Sequence, residues 1–202
     1  MPITINGSGT ITGLSVGGLP DGIVDTDMIA NNAVNDAKSS LTTGKILQVI
    51  QTNVTDTVGE NVNTGAFFHF DELDTTITPS AATSKILVTG SFSVGISSSM
   101  NVYGKLVRDV GGSNLDINLG DQAGSRRVAS AVTACSANNH EDTMGIMFLD
   151  SPNTTSAVKY EIWMSHPSSS TRTIYLNRNH VNDDSSVTAN TVSTLTLMEV
   201  AA

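Results

Sequence analysis

The feature that most constrains this chain is a two-residue alternation of apolar and polar side chains that recurs after Lys45. Between Lys85 and Ile96 the even positions are apolar or glycine, and the odd positions are mostly Thr, Ser and Gly, with Leu87 as the exception. Because successive side chains of a strand point to opposite faces of its sheet, this period predicts strands with one buried face. Shorter sets with the same period are Leu115/Ile117/Leu119, Val128/Ser130/Val132, Met144/Ile146/Phe148, Val158/Tyr160/Ile162/Met164 and the run 195–200.

Turn-forming residues separate the alternating runs, as at Gly111-Gly112 and in segments 151–153, 166–170 and 182–185. The pattern predicts about eight or nine strands and no helix after residue 45. A parallel sheet would need helical crossovers between its strands, and none is indicated. The predicted fold is therefore all-β, an antiparallel β-sandwich of jelly-roll-like type over residues 45–202.

Residues 1–44 form a second region, which we predict to be an extended, Gly-rich N-terminal arm. Asp25 or Thr26 can cap a short helix running toward Ala37. A segment with so many glycines buries little apolar surface and loses much conformational entropy when it becomes ordered. The arm is therefore predicted to order only against copies of itself or a larger partner, the alternative being a tail without fixed structure. Its weak apolar stripe consists of Ile29, Ala33, Ala37 and Leu41.

Charge and cysteine content exclude several classes of function. Ten Lys+Arg stand against nineteen Asp+Glu, and the net charge of -9 disfavours nucleic acid and membrane surfaces as partners. Cys135 is the single cysteine, so no intramolecular disulfide can form. It lies between Ala134 and Ser136 with no partner base indicated, which favours a buried hydrophobe over a nucleophile. The N-terminus has no signal-peptide pattern, and the longest uncharged apolar stretch, 144–149, is too short to span a bilayer.

The sequence carries no catalytic, cofactor-binding or metal-binding signature, so we predict a protein that is not an enzyme and uses no cofactor. Gly111-Gly112 is interpreted as a hairpin turn, because no phosphate-loop pattern follows it. The histidines are widely separated and are interpreted as solvated residues at strand ends, although convergence of two or more in the fold stays open. Carboxylates that could offer oxygen ligands to calcium lie in loops without a calcium-motif spacing. These two groups are His69, His140, His166 and His180, and Asp71, Glu72, Asp74, Glu141, Asp142, Asp183 and Asp184.

Aromatic and basic residues suggest one possible ligand surface. Trp163 falls on the polar side of its alternating run, facing away from Ile162 and Met164. In combination with arginines it could bind glycans or anionic polymers, but the favoured interpretation of this face is a subunit interface. The residues concerned are Arg126, Arg127, Trp163, Arg172, Tyr175 and Arg178.

Two stretches resemble phage tail-fibre and related virion proteins. Segments 11–14, 19–22 and 27–38 are similar to N-terminal segments of that group, in which a phrase represented here by Ile29, Ala30, Ala33, Val34 and Lys38 often precedes a trimeric domain. The ending 193–200 is similar to the closing strand of fibre domains with jelly-roll-like sandwiches.

The resemblance implies a bacteriophage virion structural protein, assembled in the host cytoplasm as a homotrimer. The favoured role is a short tail fibre whose residues 1–44 anchor to other virion proteins while the sandwich binds the host surface, with a surface glycan as the candidate ligand. The alternative is a capsid decoration or head-fibre protein that stabilises the shell or projects from it. Coiled-coil heptads and shaft repeats are lacking, which favours a compact particle component over a long fibre. The sequence does not single out receptor-binding residues.

Overall fold

The computed structural model describes residues 4–5, 11–12 and 44–202 except residue 187. The chain separates into two compact units, Met1–Thr42 and Thr43–Ala202. In the first unit the structure describes two short antiparallel strands, β1 (Thr4–Ile5) and β2 (Ile11–Thr12). The predicted helix between residues 25 and 37 lies outside the described residues. Within the described part of the chain, no helix is long and apolar enough to cross a membrane.

The second unit is built from two antiparallel sheets, which confirms the predicted all-β sandwich. Sheet I contains β5 (Phe68–His69), β6 (Thr75–Ile77), β8 (Met100–Val110), β9 (Ser113–Ile117), β10 (Ala131–Cys135) and β12 (Val158–Ser165). Sheet II contains β3 (Ile46–Val54), β4 (Val58–Val62), β7 (Lys85–Ile96), β11 (Asp142–Asp150), β13 (Arg172–Leu176) and β14 (Ser193–Val200). The helical content of the described residues is one short 3-10 turn, Asp71–Leu73, which the sequence analysis did not predict.

Four strands are interrupted, and they explain why more strands occur than were predicted. β9 and β10 pair with successive parts of β8, and β5 and β6 with successive parts of β12. In sheet II, β13 and β14 follow one another along β7, and β4 and β3 follow along them. Each such pair is one strand broken by an insertion, so eight strand positions remain, close to the predicted number.

The order of these eight positions is that of a jelly roll. Sheet I runs β9/β10, β8, β12, β5/β6, and sheet II runs β11, β7, β13/β14, β3/β4. The chain crosses from one sheet to the other at every connection except the one from β8 to β9/β10. Two interlocked Greek keys of this kind form the double-sheet jelly roll, which confirms the more specific form of the fold prediction.

The core lies between the sheets and consists largely of the side chains that the alternation predicted. Ile86, Val88, Phe92, Val94 and Ile96 of β7 are buried, and on β12 the four predicted residues Val158, Tyr160, Ile162 and Met164 are completely buried. Burying each such side chain contributes about 1.5–3 kcal/mol. Leu87, the exception to the pattern, lies on the opposite, outward face of β7.

Two shorter predicted sets were wrong in part. Pairing of β10 with β8 directs Thr133 and Cys135 inward and leaves Val132 57% exposed, so the set at 128–132 does not form a buried face. In the set at 115–119, Ile117 is buried but Leu115 is exposed, because β9 is an edge strand. Cys135 is buried as predicted, and its thiol donates a hydrogen bond to the Val94 carbonyl.

Hydrogen bonds and an ion pair between buried polar groups connect the two sheets. Asp150 of β11 accepts a hydrogen bond from the Tyr160 hydroxyl at 2.7 Å, and Nη1 of Arg108 lies 2.9 Å from each of its carboxylate oxygens. Since Asp150 belongs to sheet II and both partners belong to sheet I, this ion pair crosses the sandwich. The Gly111-Gly112 turn joins β8 to β9, as predicted, with both glycines at positive φ.

Candidate functional site

The outward side of sheet I carries an unusual concentration of charged and aromatic side chains, which we call the polar face. Cross-strand pairing places Trp163 of β12 between Lys105 of β8 and His69 of β5, and places Ser165 next to Tyr103. The alternation of β12 puts Lys159 and Glu161 on the same side. The polar face consists of His69, Tyr103, Lys105, Lys159, Glu161 and Trp163, with Asp74 and Arg127 in contact with them.

A network of short hydrogen bonds fixes the centre of the polar face. Nε2 of His69 lies 2.6 Å from Oδ1 of Asp74, and Nζ of Lys159 lies 2.6 Å from Oε1 of Glu161. Lys159 also reaches Oδ2 of Asp74 at 3.2 Å, so one ammonium group bridges two carboxylates. The Trp163 indole N–H donates to Oε2 of Glu161 at 2.7 Å.

The mutual contact of Glu161 and Lys159 favours the ionised form of both groups. Burial by itself raises the pKa of Glu161, which is only 2% exposed, but hydrogen bonds from Lys159 and Trp163 outweigh burial and lower that pKa. The hydrogen bond to Glu161 raises the pKa of Lys159 to about 12. A carboxyl group with a lowered pKa is a poor proton donor at neutral pH, so Glu161 is unsuited to general-acid catalysis.

The Trp163 ring is held in place by the same network. It stacks on the His69 ring, with ring centroids 5.3 Å apart and an interplanar angle of 12°. Nearby, the Lys105 ammonium lies 4.4 Å from the centroid of the Phe67 ring. Aromatic rings flanked by fixed polar groups bind ligands that combine an apolar face with hydroxyls, because the ring covers the apolar face and the polar groups hydrogen-bond the hydroxyls.

A shallow cavity extends the polar face toward β10. Its volume is about 270 Å³, and it is lined by the insertion between β9 and β10 and by Tyr103 of β8. The Arg127 guanidinium lies 5.7 Å from the centroid of the Tyr103 ring and donates a hydrogen bond to the Ser165 hydroxyl at 3.3 Å. Asp121 also lines the cavity. The cavity therefore combines an aromatic wall with groups of both charges.

His69, Asp74 and Glu161 also have the composition of a metal site. One ligand atom from each lies within 4.8 Å of the others. In a hydrogen bond to a carboxylate, Nε2 of His69 is the donor and carries the proton, whereas a metal ligand must present a lone pair there. Lys159 already supplies a positive charge between the two carboxylates. The geometry therefore fits a hydrogen-bonded charge network better than a cation site.

The structure corrects the interpretation of the histidines and nearby acids. His166, predicted to be solvated, is completely buried, and its Nε2 lies 2.8 Å from the Val62 carbonyl oxygen. His69 is half-buried and converges with Asp74, which the sequence analysis assigned to a solvated loop. Glu161 was not singled out by the sequence, since it shows only as a charged residue in the alternation of β12. His140 is exposed, in agreement with the prediction.

The predicted set of arginine and aromatic residues is divided between the sheets. Trp163 and Arg127 lie on the polar face of sheet I. Tyr175 belongs to β13 of sheet II, where Arg178 covers its ring at 4.0 Å from the centroid. The two aromatic residues therefore do not form one surface, and the part of the prediction that joined them was wrong.

No protein-family model matches this chain, and no curated protein matches it in sequence. Similar solved structures come from infectious bursal disease virus. The structure of the Gx strain is 12% identical with a TM-score of 0.40, covering 79% of this chain and 39% of that chain. The VP2 subviral particle is 10% identical with a TM-score of 0.36, covering 78% and 42%. The virus-derived T=1 particle is 14% identical with a TM-score of 0.38, covering 79% and 37%.

This chain thus spans about two fifths of the length of those viral proteins.

Proposed function

We propose that this protein is a structural component of a bacteriophage particle, without catalytic activity, that binds the host surface through the polar face. The observation that carries the proposal is the fixed Trp163–His69 stack beside the Lys159 and Glu161 side chains, on the outward side of a jelly-roll domain. The N-terminal segments that resemble virion fibre proteins support placement in a particle. In this proposal residues 1–44 attach the domain to other virion proteins.

The chemistry of the polar face favours a ligand surface over a subunit interface. Charged residues are depleted from the centres of protein interfaces, because desolvating them is costly. The centre of the polar face holds Asp74, Lys159 and Glu161, which are already paired within the chain. A preorganised set of donors and acceptors around an aromatic ring suits the hydroxyls and the apolar ring face of a saccharide. We therefore propose host-surface glycans as the ligand class.

A short tail fibre is the favoured place in the particle, with a homotrimer as the assembly. The resemblance of segments 27–38 and 193–200 to fibre proteins supports this choice. A capsid decoration or head-fibre protein is the second candidate, because the jelly roll and the N-terminal segment suit attachment to a shell equally well. Labelled antibodies against the chain, imaged on intact particles, distinguish tail from capsid.

An adsorption assay tests the ligand-binding role. Purified protein is expected to bind host cells in a saturable manner and to block adsorption of the phage. Trp163→Ala, which removes the stacked ring, is expected to weaken binding at least tenfold because aromatic contacts dominate such surfaces. The matched control is Tyr175→Ala, which removes an aromatic ring from the other sheet and should leave binding unchanged.

Three results would speak against the proposal. One is the absence of cell binding at saturating concentrations of a folded wild-type protein. Another is equal binding by the Trp163→Ala variant and the wild type, with circular dichroism showing that both are folded. Hydrolysis of surface glycans by the purified protein would instead place it among enzymes.

A further inference from the structure

Four adjacent strands of sheet II, β3, β14, β7 and β11, differ from the polar face in having almost no charge at their outward positions. Val49, Met198, Leu87 and Leu149 form one row across β3, β14, β7 and β11, since each is the cross-strand partner of the next. Met147 lies on the same side in the neighbouring row, and Leu47, 41% exposed, lies at the register shift between β3 and β14. These six residues are named the apolar face. Val49, Met147 and Leu149 are 53%, 76% and 46% exposed, respectively.

The row on one side of the apolar face is polar but uncharged, and the row on the other side holds Ile46, Val200 and Lys85. Gln51, Thr196 and Thr89 lie beside Met147 in the next row of cross-strand partners. Along the outward positions of these four strands, Lys85 at the start of β7 is the single charged residue. In a chain with nineteen Asp+Glu, the outward positions of these strands carry no carboxylate. Two surfaces of this kind can meet without bringing like charges together, even though each copy has a net charge of -9.

The edge of sheet II provides a second reason for a partner at this place. β3 pairs with β14, and within the described residues no strand is paired with its other edge. The nine residues of β3 contain neither a charge nor a proline, and Ile46 is 52% exposed in addition to Val49. Soluble proteins protect such edges with charges, prolines or a covering segment, because an open apolar edge attracts other chains.

The dimensions of the apolar face indicate how much more surface a partner must cover. Four strands spaced by about 4.8 Å span about 14 Å, so the apolar side chains cover a few hundred Å² at most. A stable complex buries about 800 Å² on each partner, with an apolar centre and a polar rim. The apolar face fits the centre of such an interface, and the neutral Thr and Gln rows together with the β3 edge fit its rim.

We infer that the apolar face is the surface through which copies of this chain associate. The occupant is a second copy, because a neutral face suits a partner that carries the same negative charge, whereas a basic partner would be drawn to the acidic surfaces elsewhere. The inference rests on the homo-oligomer of the proposed function and assigns its contact surface. It divides the domain into an associating sheet II and a ligand-binding sheet I.

Charge insertion in the full-length chain tests this assignment. Light scattering coupled to size exclusion measures the mass, which for the wild type is expected to be a multiple of 21.1 kDa. Leu149→Lys and Met147→Lys are each expected to weaken association at least tenfold and to yield the monomer mass at a concentration at which the wild type is assembled. The matched control is Leu115→Lys, a leucine of similar exposure (51%) on an edge strand of sheet I, which should leave the mass unchanged.

Cysteine cross-linking provides a measurement that does not depend on destabilising the protein. Cys135 is 1% exposed, so a cysteine introduced at Met147 would be the reactive thiol of the chain. Met147→Cys is expected to give covalent dimers with a short bismaleimide, and Leu115→Cys is not.

Each alternative outcome overturns the assignment in a recognisable way. If the wild type is still a monomer at 100 times the concentration used in the assay, both the interface and the proposed oligomer are ruled out. If the wild type assembles, both lysine variants assemble equally well, and Met147→Cys does not cross-link, then the assigned interface is wrong while the oligomer stands. If deletion of residues 1–44 dissociates the oligomer while Leu149→Lys does not, the N-terminal region holds the copies together instead. Adsorption to host cells is measured separately, so the test of the polar face as a ligand surface does not depend on the outcome for the apolar face.

Discussion

Glu199 offers a sharp test of how the two sheets are held together, because it is a completely buried carboxylate on β14. Its oxygens accept hydrogen bonds from the Ser80 backbone N–H at 2.7 Å, the Ser80 hydroxyl at 2.6 Å and the Gln48 amide at 2.6 Å. Ser80 lies in the connection from β6 in sheet I to β7 in sheet II. The carboxylate therefore ties the connection between the sheets to β14.

The magnitude of this interaction follows from the acidity of the group. Burial raises the pKa of Glu199, but the hydrogen bonds from Ser80, Gln48 and Ser84 outweigh burial and lower the pKa from 4.5 to about 2. Since each tenfold change in proton affinity corresponds to about 1.4 kcal/mol, ionised Glu199 contributes about 3 kcal/mol to the free energy of unfolding. The contribution is complete above the unfolded pKa of 4.5 and is lost as the pH falls through the folded pKa of about 2.

The predicted perturbation is Glu199→Gln, which cannot ionise. The variant is expected to be less stable than the wild type by about 3 kcal/mol at pH 7, and about 1.4 kcal/mol of that difference should be gone at pH 3.5. Urea unfolding followed by the fluorescence of Trp163 at both pH values measures the difference. The matched control for loss of a glutamate charge is Glu60→Gln on β4, a half-exposed residue outside this network. A stability difference that is the same at pH 7 and pH 3.5 would refute the reasoning.

Three further substitutions or modifications test other parts of the fold. Gly95→Ala places a Cβ atom 2.5 Å from a backbone carbonyl oxygen and is expected to destabilise the domain by at least about 2 kcal/mol, whereas Gly145→Ala, with its nearest neighbour at 4.0 Å, should change the unfolding midpoint little. Asp150→Asn leaves Arg108 without its buried partner and is expected to cost about 3–5 kcal/mol in urea unfolding; a loss below 1 kcal/mol would contradict a structural role for the ion pair. Burial raises the pKa of Cys135 to about 11, so the native thiol should resist a thiol-reactive dye at pH 8 and react fully in denaturant.

The sequence was most informative where long strands cross the middle of the sandwich. β7 and β12 contact core on one side along most of their length, so their apolar side chains recur at every second position and predict both the strand and its buried face. At edge strands the same rule fails. Val132 and Leu115 are apolar but exposed, because the inward direction there is set by pairing with β8 and not by the few local residues.

The candidate site was harder to predict than the core because its parts are distant in sequence. His69 and Asp74 are near each other in the chain, but nothing local shows that β5 pairs with β12 and brings Glu161 to them. The jelly-roll order supplies that proximity. Trp163 was correctly predicted to face away from the core, and its partners followed only from the topology. The apolar face was only partly predictable. Leu87 stood out in the sequence as an exception to the alternation, but the other residues of its row follow only from the pairing registers of three strand pairs.

The pairing of β3 with β14 has a consequence for biosynthesis. Along the described chain β3 is the first strand of the sandwich to leave the ribosome and β14 the last, and they are neighbours in sheet II. A nascent chain therefore leaves the uncharged β3 and the edge of β7 that pairs with β14 without partners until translation is nearly complete. Pairing of strands that are so distant in sequence is slow, and it leaves apolar, unpaired strands accessible to other nascent chains. Heavy expression should thus favour inclusion bodies, and slower synthesis at low temperature should favour correctly closed sandwiches.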